Sequence, residues 1–357
     1  MATMKEIAKR AGVSIGTVSN VITGRISVSP RRKDRVLAAI EALEYQPNHV
    51  ARSLKLRTTR MLGMVISDIT NPFFPQLVRG AEDVALKHGY LLITLNTDDD
   101  VEREKEALSV LQERRVDGVL LVVAPNPSKD THIQAIVGSD IPIVCLDRIP
   151  EGMNVDSVAV DNVEGSRAAV QHLISLGHRR IAIITGPRGL RTAAERLQGY
   201  HQAMHEAGIP ISPEIIVEGN FRAESGYQRG RELLAGGSRP TSLFVCNSMM
   251  TLGLIKALAE LGLECPRDIA VVTFDDLPMG EYFRPRLTVV AQPAYSIGYR
   301  GAELLIQRIE KKRLDPSVVK IRLSTDLIIR ESTAGFCFTH IPGDEKRPLR
   351  RKRKALD

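Results

Sequence analysis

Downstream of Met61, short apolar runs alternate with amphipathic helical stretches for some 270 residues, a rhythm that few folds can satisfy. MLGMVIS, YLLITL, GVLLVV and IPIVCLD read as strands, with helices expected from Gln76 to His88, Val101 to Arg115 and about Asp130 to Val137. A second series, SVAVD, RRIAIITG, TSLFVC and IAVVTFDD, repeats the pattern. Continuous apolar strands are buried on both faces, and parallel strands need covering crossovers. Two series therefore predict two doubly wound parallel sheets, each with ligand positions beyond the carboxyl ends of its strands.

Three crossings should join the sheets, near Asp161-Asn162, near Ala291-Pro293 and near Arg322-Thr325. The helix IGYRGAELLIQRIEKK is expected to return to the first lobe. On this reading the first lobe spans about 61–161 and 292–322 and the second about 162–291 and 323–335. Three strands across a cleft make a hinge, and a ligand between the lobes favours one lobe angle.

Charge sets the ends of the chain apart from its middle. Residues 1–60 carry twelve Lys or Arg against four acids, and residues 344–357 carry seven against three, while the whole chain is only +7. The intervening body is therefore net acidic, and the basic ends point to a polyanionic partner. No apolar run is long enough for a membrane span, and MATMKEIAKR lacks the apolar stretch of a signal peptide. Cys145, Cys246, Cys265 and Cys337 show no CxxC spacing, which fits a reducing cytoplasm. The eight histidines are scattered without metal-ligand spacing, so neither metal nor cofactor is expected.

The basic head can be built from local rules. Thr3 and Glu6 form a capping box, after which Met4, Ile7, Ala8 and Ala11 share one helical face up to Gly12. Ser14 can cap a second helix whose inner face is Val18, Val21 and Ile22. Three residues between helices is the spacing of a helix-turn-helix. A third helix opens with Ser29-Pro30 and turns Val36, Ile40 and Leu43 inward.

GVSIGTVSNVI followed by QPNHVARSLK resembles the LacI/GalR family of bacterial transcription regulators, with a head similar to its purine-repressor branch. The resemblance implies that residues 1–46 bind operator DNA as part of a homodimer, with Ile15, Gly16 and Asn20 at base-reading positions. It implies that Ser14, Thr17 and Ser19 cap, contact phosphates or pack. Asn can pair with adenine in two bonds, whereas Ile offers only apolar contact and Gly nothing, so DNA shape should matter. Residues 47–60 resemble the family's hinge helix and linker. Asn48, Ala51, Arg52, Leu54 and Lys55 are its DNA-contacting candidates, with Leu54 as a minor-groove wedge.

Polar groups at the strand ends form the candidate small-molecule site. Asp68, Asp147-Arg148, Asn247 and Asp275 follow apolar strands, and Phe73 and Phe74 stand out in a chain with 4% aromatics. Rings suit the C–H faces of a sugar, and Asp, Asn and Arg suit its hydroxyl edges. Residues 61–335 also resemble the family's effector domain and periplasmic sugar-binding proteins, most of all the ribose type. Carried over by motif, this adds Asn71, Arg196, Phe221 and Gln292 to the pocket. Asn247-Ser248 stands where the family has Asn-Asp, which removes one carboxylate near the pocket rim, and the purine-repressor similarity of the head keeps purine as the alternative effector.

Each residue has a plainer role available: Phe74 in a core, Arg196 paired with Glu195, Asp275 capping the turn before Leu277-Pro278. A carbohydrate-binding protein without DNA function would lack the basic head. An α/β enzyme would need a phosphate loop or acid/base cluster, and ITGPRG, the nearest phosphate-loop mimic, has no following Lys-Ser/Thr. The chain therefore reads as a DNA-binding regulator and not an enzyme. Residues 336–357 form a basic tail without a leucine heptad, so a dimer is expected in place of a tetramerising coiled coil.

Overall fold

The computed structural model describes residues 2–23, 26–45, 58–125, 131–150, 152–235, 239–310 and 317–334. The chain divides into two compact units, Met1–Thr59 and Arg60–Asp357.

The first unit holds α1 (Met4–Ala11), α2 (Ile15–Thr23) and α3 (Pro30–Ala42). Both halves of the Thr3/Glu6 capping box form, and Gly12 ends α1 at φ 60°, a left-handed conformation that costs glycine nothing. Ser14 Oγ accepts from the Thr17 amide at 3.1 Å and so caps α2. Ile7, Ala8, Ala11, Val18, Val36 and Ala39 make the core, with Val21, Ile22, Ile40 and Leu43 packed at its edge. Met4, expected on the inner face, is 36% exposed, because the first turn lies at the rim of so small a core. Arg35 adds a brace that patterning did not foresee. Its Nε donates to the Ala11 carbonyl at 2.8 Å and its Nη2 to the Gly12 carbonyl at 2.7 Å, tying α3 to the turn between α1 and α2.

The second unit runs β1 (Met61–Ile66), α4 (Phe73–Lys87), β2 (Leu91–Asn96), α5 (Val101–Glu113), β3 (Gly118–Leu121), α6 (Thr131–Val137), β4 (Ile143–Leu146) and β5 (Asp156–Val160). It continues α7 (Asn162–Ser175), β6 (Ile181–Thr185), α8 (Arg191–Glu206), β7 (Ile216–Glu218), α9 (Ala223–Ala235), β8 (Ser242–Val245), α10 (Ser248–Glu260) and β9 (Ala270–Phe274). It closes with β10 (Thr288–Ala291), α11 (Ala294–Glu310), β11 (Lys320–Leu323) and β12 (Asp326–Ile328). One sheet has the order β11-β5-β4-β3-β1-β2 and the other β12-β10-β9-β8-β6-β7. Every pairing is parallel except β10 with β12.

Several expectations shift. SVAVD, which opens the second apolar series yet falls within the 61–161 bounds expected for the first lobe, is β5 and pairs with β4 and β11 in the first sheet. Periodicity identifies a buried strand but carries no information about its partners. Helix α4 starts at Phe73, three residues before Gln76, because Asn71 Oδ1 accepts from the Phe73 amide at 3.1 Å and Pro72 takes the N-cap position. Helix α5 ends at Glu113, short of Arg115, which is left-handed at φ 53°. Strand β7 was not foreseen, being three residues long and only partly buried.

Helix α11 packs on α4 and on β3, β4 and β5 of the first sheet. Glycine permits the close approach: a Cβ on Gly298 would lie 1.9 Å from the Leu77 carbonyl oxygen. The second lobe repeats the device between α9 and α10, where a Cβ on Gly253 would meet the Ala223 oxygen at 1.8 Å. Apolar side chains fill both faces of the first sheet and form one continuous core in the second lobe.

Candidate functional site

A narrow pocket lies in the cleft at the carboxyl ends of the strands. From the first lobe it is lined by Asn71, Phe73, Phe74, Asp147 and Arg148, and from the second by Thr192, Arg196, Phe221, Asn247 and Asp275, with Gln292 at a crossing. Asp147 directly follows β4 and Asp275 directly follows β9, both with left-handed backbones (φ 59° and 71°), and Phe221 is left-handed as well (φ 63°). Such conformations cost non-glycine residues about 1–3 kcal/mol and persist where surrounding structure enforces them. The Phe221 ring has room only because residue 186 is glycine; a Cβ there would sit 2.1 Å from it. The glycine of ITGPRG thus makes space for an aromatic wall. Phe73 and Phe74 meet edge to face, with centroids 5.2 Å apart.

The framework holds the two arginines firmly. Arg148 Nη1 donates to Ser67 Oγ at 2.8 Å and is paired with Asp99, while its guanidinium lies near the rings of Phe74 and Phe221. Arg196 stacks 3.8 Å over the Phe274 ring, donates from Nε to Asn162 Oδ1 at 2.9 Å and from Nη1 to the Cys246 carbonyl at 2.6 Å. Asn247 Oδ1 caps α10 by accepting from the Met250 amide, and its Nδ2 donates to the Phe221 carbonyl at 2.8 Å. Gln292 Nε2 donates to Asp275 Oδ1.

Burial pushes the Asp147 carboxyl up to about 6 against the pull of Arg196 and Arg148, and the charge of Asp275 raises it further. Asp275 is also raised, again by burial first, with Arg196, Gln292 and Arg148 opposing. Asp147 Oδ1 and Gln292 Oε1 are buried acceptors without a hydrogen-bond partner. With Arg148 already paired to Asp99 the pocket carries no excess positive charge, and the spare acceptors call for a ligand that brings donors.

Opposite the crossings the lobes meet again. Asp98 and Asp99 are left-handed (φ 55° and 65°); Asp99 is the partner of Arg148, and the Asp98 carbonyl accepts from Arg222 Nη2 of the second lobe at 3.0 Å. Outside the inner pocket the cleft widens into a space that shares Phe73, Asp275 and Gln292 and is bounded by Gln76, Glu281 and Arg330.

Ten of the eleven small-molecule candidates therefore converge on one pocket. Asp68 does not line it: its Oδ1 accepts from the amide and hydroxyl of Thr70 and shapes the turn that leads to Asn71. Sequence reasoning missed Thr192, which no strand end or motif marks, and the Asp99 and Asn162 side chains that fix the arginines. Arg196 is only 3% exposed and does not pair with Glu195, which instead binds Arg191 and Arg322. Among the described residues no group of His, Cys, Asp and Glu could hold a metal ion, and no helix is long and apolar enough to cross a membrane.

In the head, Ser14, Ile15 and Gly16 are exposed at the start of α2, with Ile15 47% exposed, and Thr17, Ser19 and Asn20 are half-buried. Ser14 and Thr17 share a 3.0 Å hydroxyl contact. Lys5, Lys9, Arg10, Arg31, Arg32 and Lys33 are exposed. Asn48, Ala51, Arg52, Leu54 and Lys55, and the tail 336–357, lie outside the described residues.

A basic helix-turn-helix unit and a two-lobed α/β unit with a polar, aromatic-walled cleft define a class, the ligand-responsive regulators of periplasmic-binding-protein type. Residues 3–48 match the profile of bacterial regulatory proteins of the lacI family, and residues 170–333 that of a periplasmic binding protein-like domain. The chain is 37% identical over 332 residues to the HTH-type transcriptional repressor PurR of Histophilus somni, covering 93% of this chain and 99% of that protein. It is 38% identical over 335 residues to the ribose operon repressor of Halalkalibacterium halodurans, covering 94% and 98%. Among solved structures it resembles the lac repressor dimer bound to operator and the anti-inducer ONPF, with a TM-score of 0.82, 29% identity and coverage of 93% and 99%. It also resembles a LacI family regulator from Enterococcus faecium with bound ribose, with a TM-score of 0.69, 32% identity and coverage of 78% and 100%. The chain belongs to the lacI family of bacterial regulatory proteins.

Proposed function

We propose that this protein is a transcriptional repressor that binds a near-palindromic operator as a homodimer and takes a neutral sugar or sugar derivative in the interlobe pocket. One observation carries the effector class: a pocket without excess positive charge, with two aromatic walls, Phe74 and Phe221, and unpartnered acceptors on Asp147 and Gln292. A polyhydroxy ring supplies donors for those acceptors and C–H faces for the rings. The ribose named for one relative and one solved structure supports the same class.

In this reading α2 enters the major groove with Ile15, Gly16 and Asn20 toward the bases, while Ser14, Thr17 and Ser19 hold the helix start and the phosphates. Asn48, Ala51, Arg52, Leu54 and Lys55 form the hinge segment, with Leu54 wedged into the minor groove. Effector binding changes the lobe angle, and with it the separation of the two hinge segments. The chain is a regulator without a catalytic step and works on DNA in the cytoplasm; the basic head and the repressor names of its relatives support both statements.

A purine corepressor is the second reading, favoured by the 37% identity to PurR. A thermal-shift screen of pentoses, hexoses, sugar phosphates, polyols and purines separates the two. D-ribose or a related sugar is expected to raise Tm; a shift with purines alone overturns the sugar assignment. Selection from a palindromic DNA library tests operator binding, and failure to enrich any palindrome overturns that part.

A further inference from the structure

Each of the three crossings is held by a residue of the pocket or by the neighbour of one. At the first, Asn162 opens α7, is 1% exposed, and accepts from Arg196 Nε at 2.9 Å. At the second, Gln292 donates to Asp275. At the third, Arg322 of β11 donates from Nη1 to the Val160 carbonyl at 2.9 Å and from Nη2 to Glu195 Oε1 at 3.3 Å. Glu195 closes the circuit, because its Oε2 accepts from Asn162 Nδ2 at 3.0 Å. Arg196 and Glu195 are consecutive on α8, so their side chains leave the helix about 100° apart. One enters the pocket, and the other reaches the hinge.

We propose that Glu195 is a positioning residue that couples the pocket arginine Arg196 to the Arg322 crossing, so that pocket occupancy sets the angle between the lobes. The proposal rests on the cleft being the effector site. Glu195 does not line the pocket, and its side chain is 14% exposed. Its two oxygens grip groups of different crossings, so a shift of Arg196 and Asn162 reaches β11 without passing through the cores. Removing its charge loosens both grips and leaves the pocket lining intact. Arg191, which also binds Glu195 from one turn away at 2.7 Å, lies outside this circuit.

The test places bio-orthogonal spin labels at Glu106 on α5 and Glu232 on α9 of the full chain and reads the interlobe distance without any sugar. The wild type should give one narrow distance. Glu195→Gln and Arg322→Gln should each broaden it, the double variant should broaden it by clearly less than the sum of the two, and Arg191→Gln should leave it narrow. A narrow distance in Glu195→Gln, additive broadening in the double variant, or equal broadening in Arg191→Gln overturns the proposal. Adding D-ribose then tests the effector reading separately, since a wild type indifferent to D-ribose counts against that sugar while the sugar-free distances still decide the role of Glu195. In a responding protein, Glu195→Gln should keep D-ribose affinity within about threefold and lose at least about fivefold of the sugar-induced change in operator affinity. Equal losses in both overturn the coupling role.

Discussion

Asp147 should tie effector affinity to pH. Burial holds its carboxyl at about 6 in the free protein, against an ordinary value of 3.8, and its Oδ1 has no hydrogen-bond partner. A sugar hydroxyl donating to Oδ1 stabilises the carboxylate over the acid, so binding lowers this pKa and expels a proton wherever the free pocket is protonated. Affinity should be level above about pH 7 and fall by up to about tenfold per pH unit below about 6. If binding restores the ordinary value, the total loss is roughly 100-fold, or about 3 kcal/mol, by pH 4. Asp275 is also raised by burial, and its charge raises Asp147 further, so the step belongs to the pair. Calorimetric titration of D-ribose, or of the best stabilising sugar, across pH 5 to 8 in buffers of different ionisation enthalpy reads affinity and proton release together. Asp147→Asn should flatten the profile. Affinity that stays level or rises as the wild type is acidified refutes the reasoning.

Acid should also act on the far side of the second lobe, where burial holds His178 at about 4, with His172 adding to the effect. This lowered value means that the neutral histidine's contribution is complete above about pH 6.5 and is lost as pH falls toward 4. His178→Gln should flatten the wild-type stability slope in that window, by up to about 1.4 kcal/mol per pH unit, in urea titrations. Arg222→Ala removes the bond to the Asp98 carbonyl that links the lobes away from the hinge. Sugar dissociation should speed up by about threefold to tenfold in stopped flow with Tm nearly unchanged, as expected for one exposed hydrogen bond. Gly253→Val puts a side chain where a Cβ already meets the Ala223 oxygen at 1.8 Å, and chemical denaturation should show a loss of about 3 kcal/mol. Arg35→Ala should lower the stability of the head by roughly 1–3 kcal/mol, read by helical signal on heating, since it strips two charge-assisted bonds from carbonyls at the end of α1.

Much of the pocket was legible because its residues sit where chain direction changes. Asp147 and Asp275 follow runs of buried apolar residues, and a polar residue there must leave the sheet at its carboxyl edge. Phe221 and Arg196 were legible only through family motifs, since Phe221 follows the short, unforeseen β7 and Arg196 lies within α8. Thr192 and Asn162 left no signal, because each is a small polar residue near a helix start whose ordinary role is capping. Asp68 misled for the same reason in reverse: a carboxylate after a strand can serve its own turn, and here it binds Thr70.

The sequence alone determined the alternation of strands and helices, the boundary between a basic head and an acidic body, the caps at Thr3 and Ser14, and the start of α3 at Pro30. These depend on neighbours a few residues apart, so local spacing contains them. Only the tertiary structure decided that SVAVD lies between β4 and β11, that α11 crosses α4 through Gly80 and Gly298, and that Glu195 binds Arg322, 127 residues away. Partners so distant in the chain meet only because two sheets fold around shared crossings, and that depends on how whole faces pack rather than on the residues beside them.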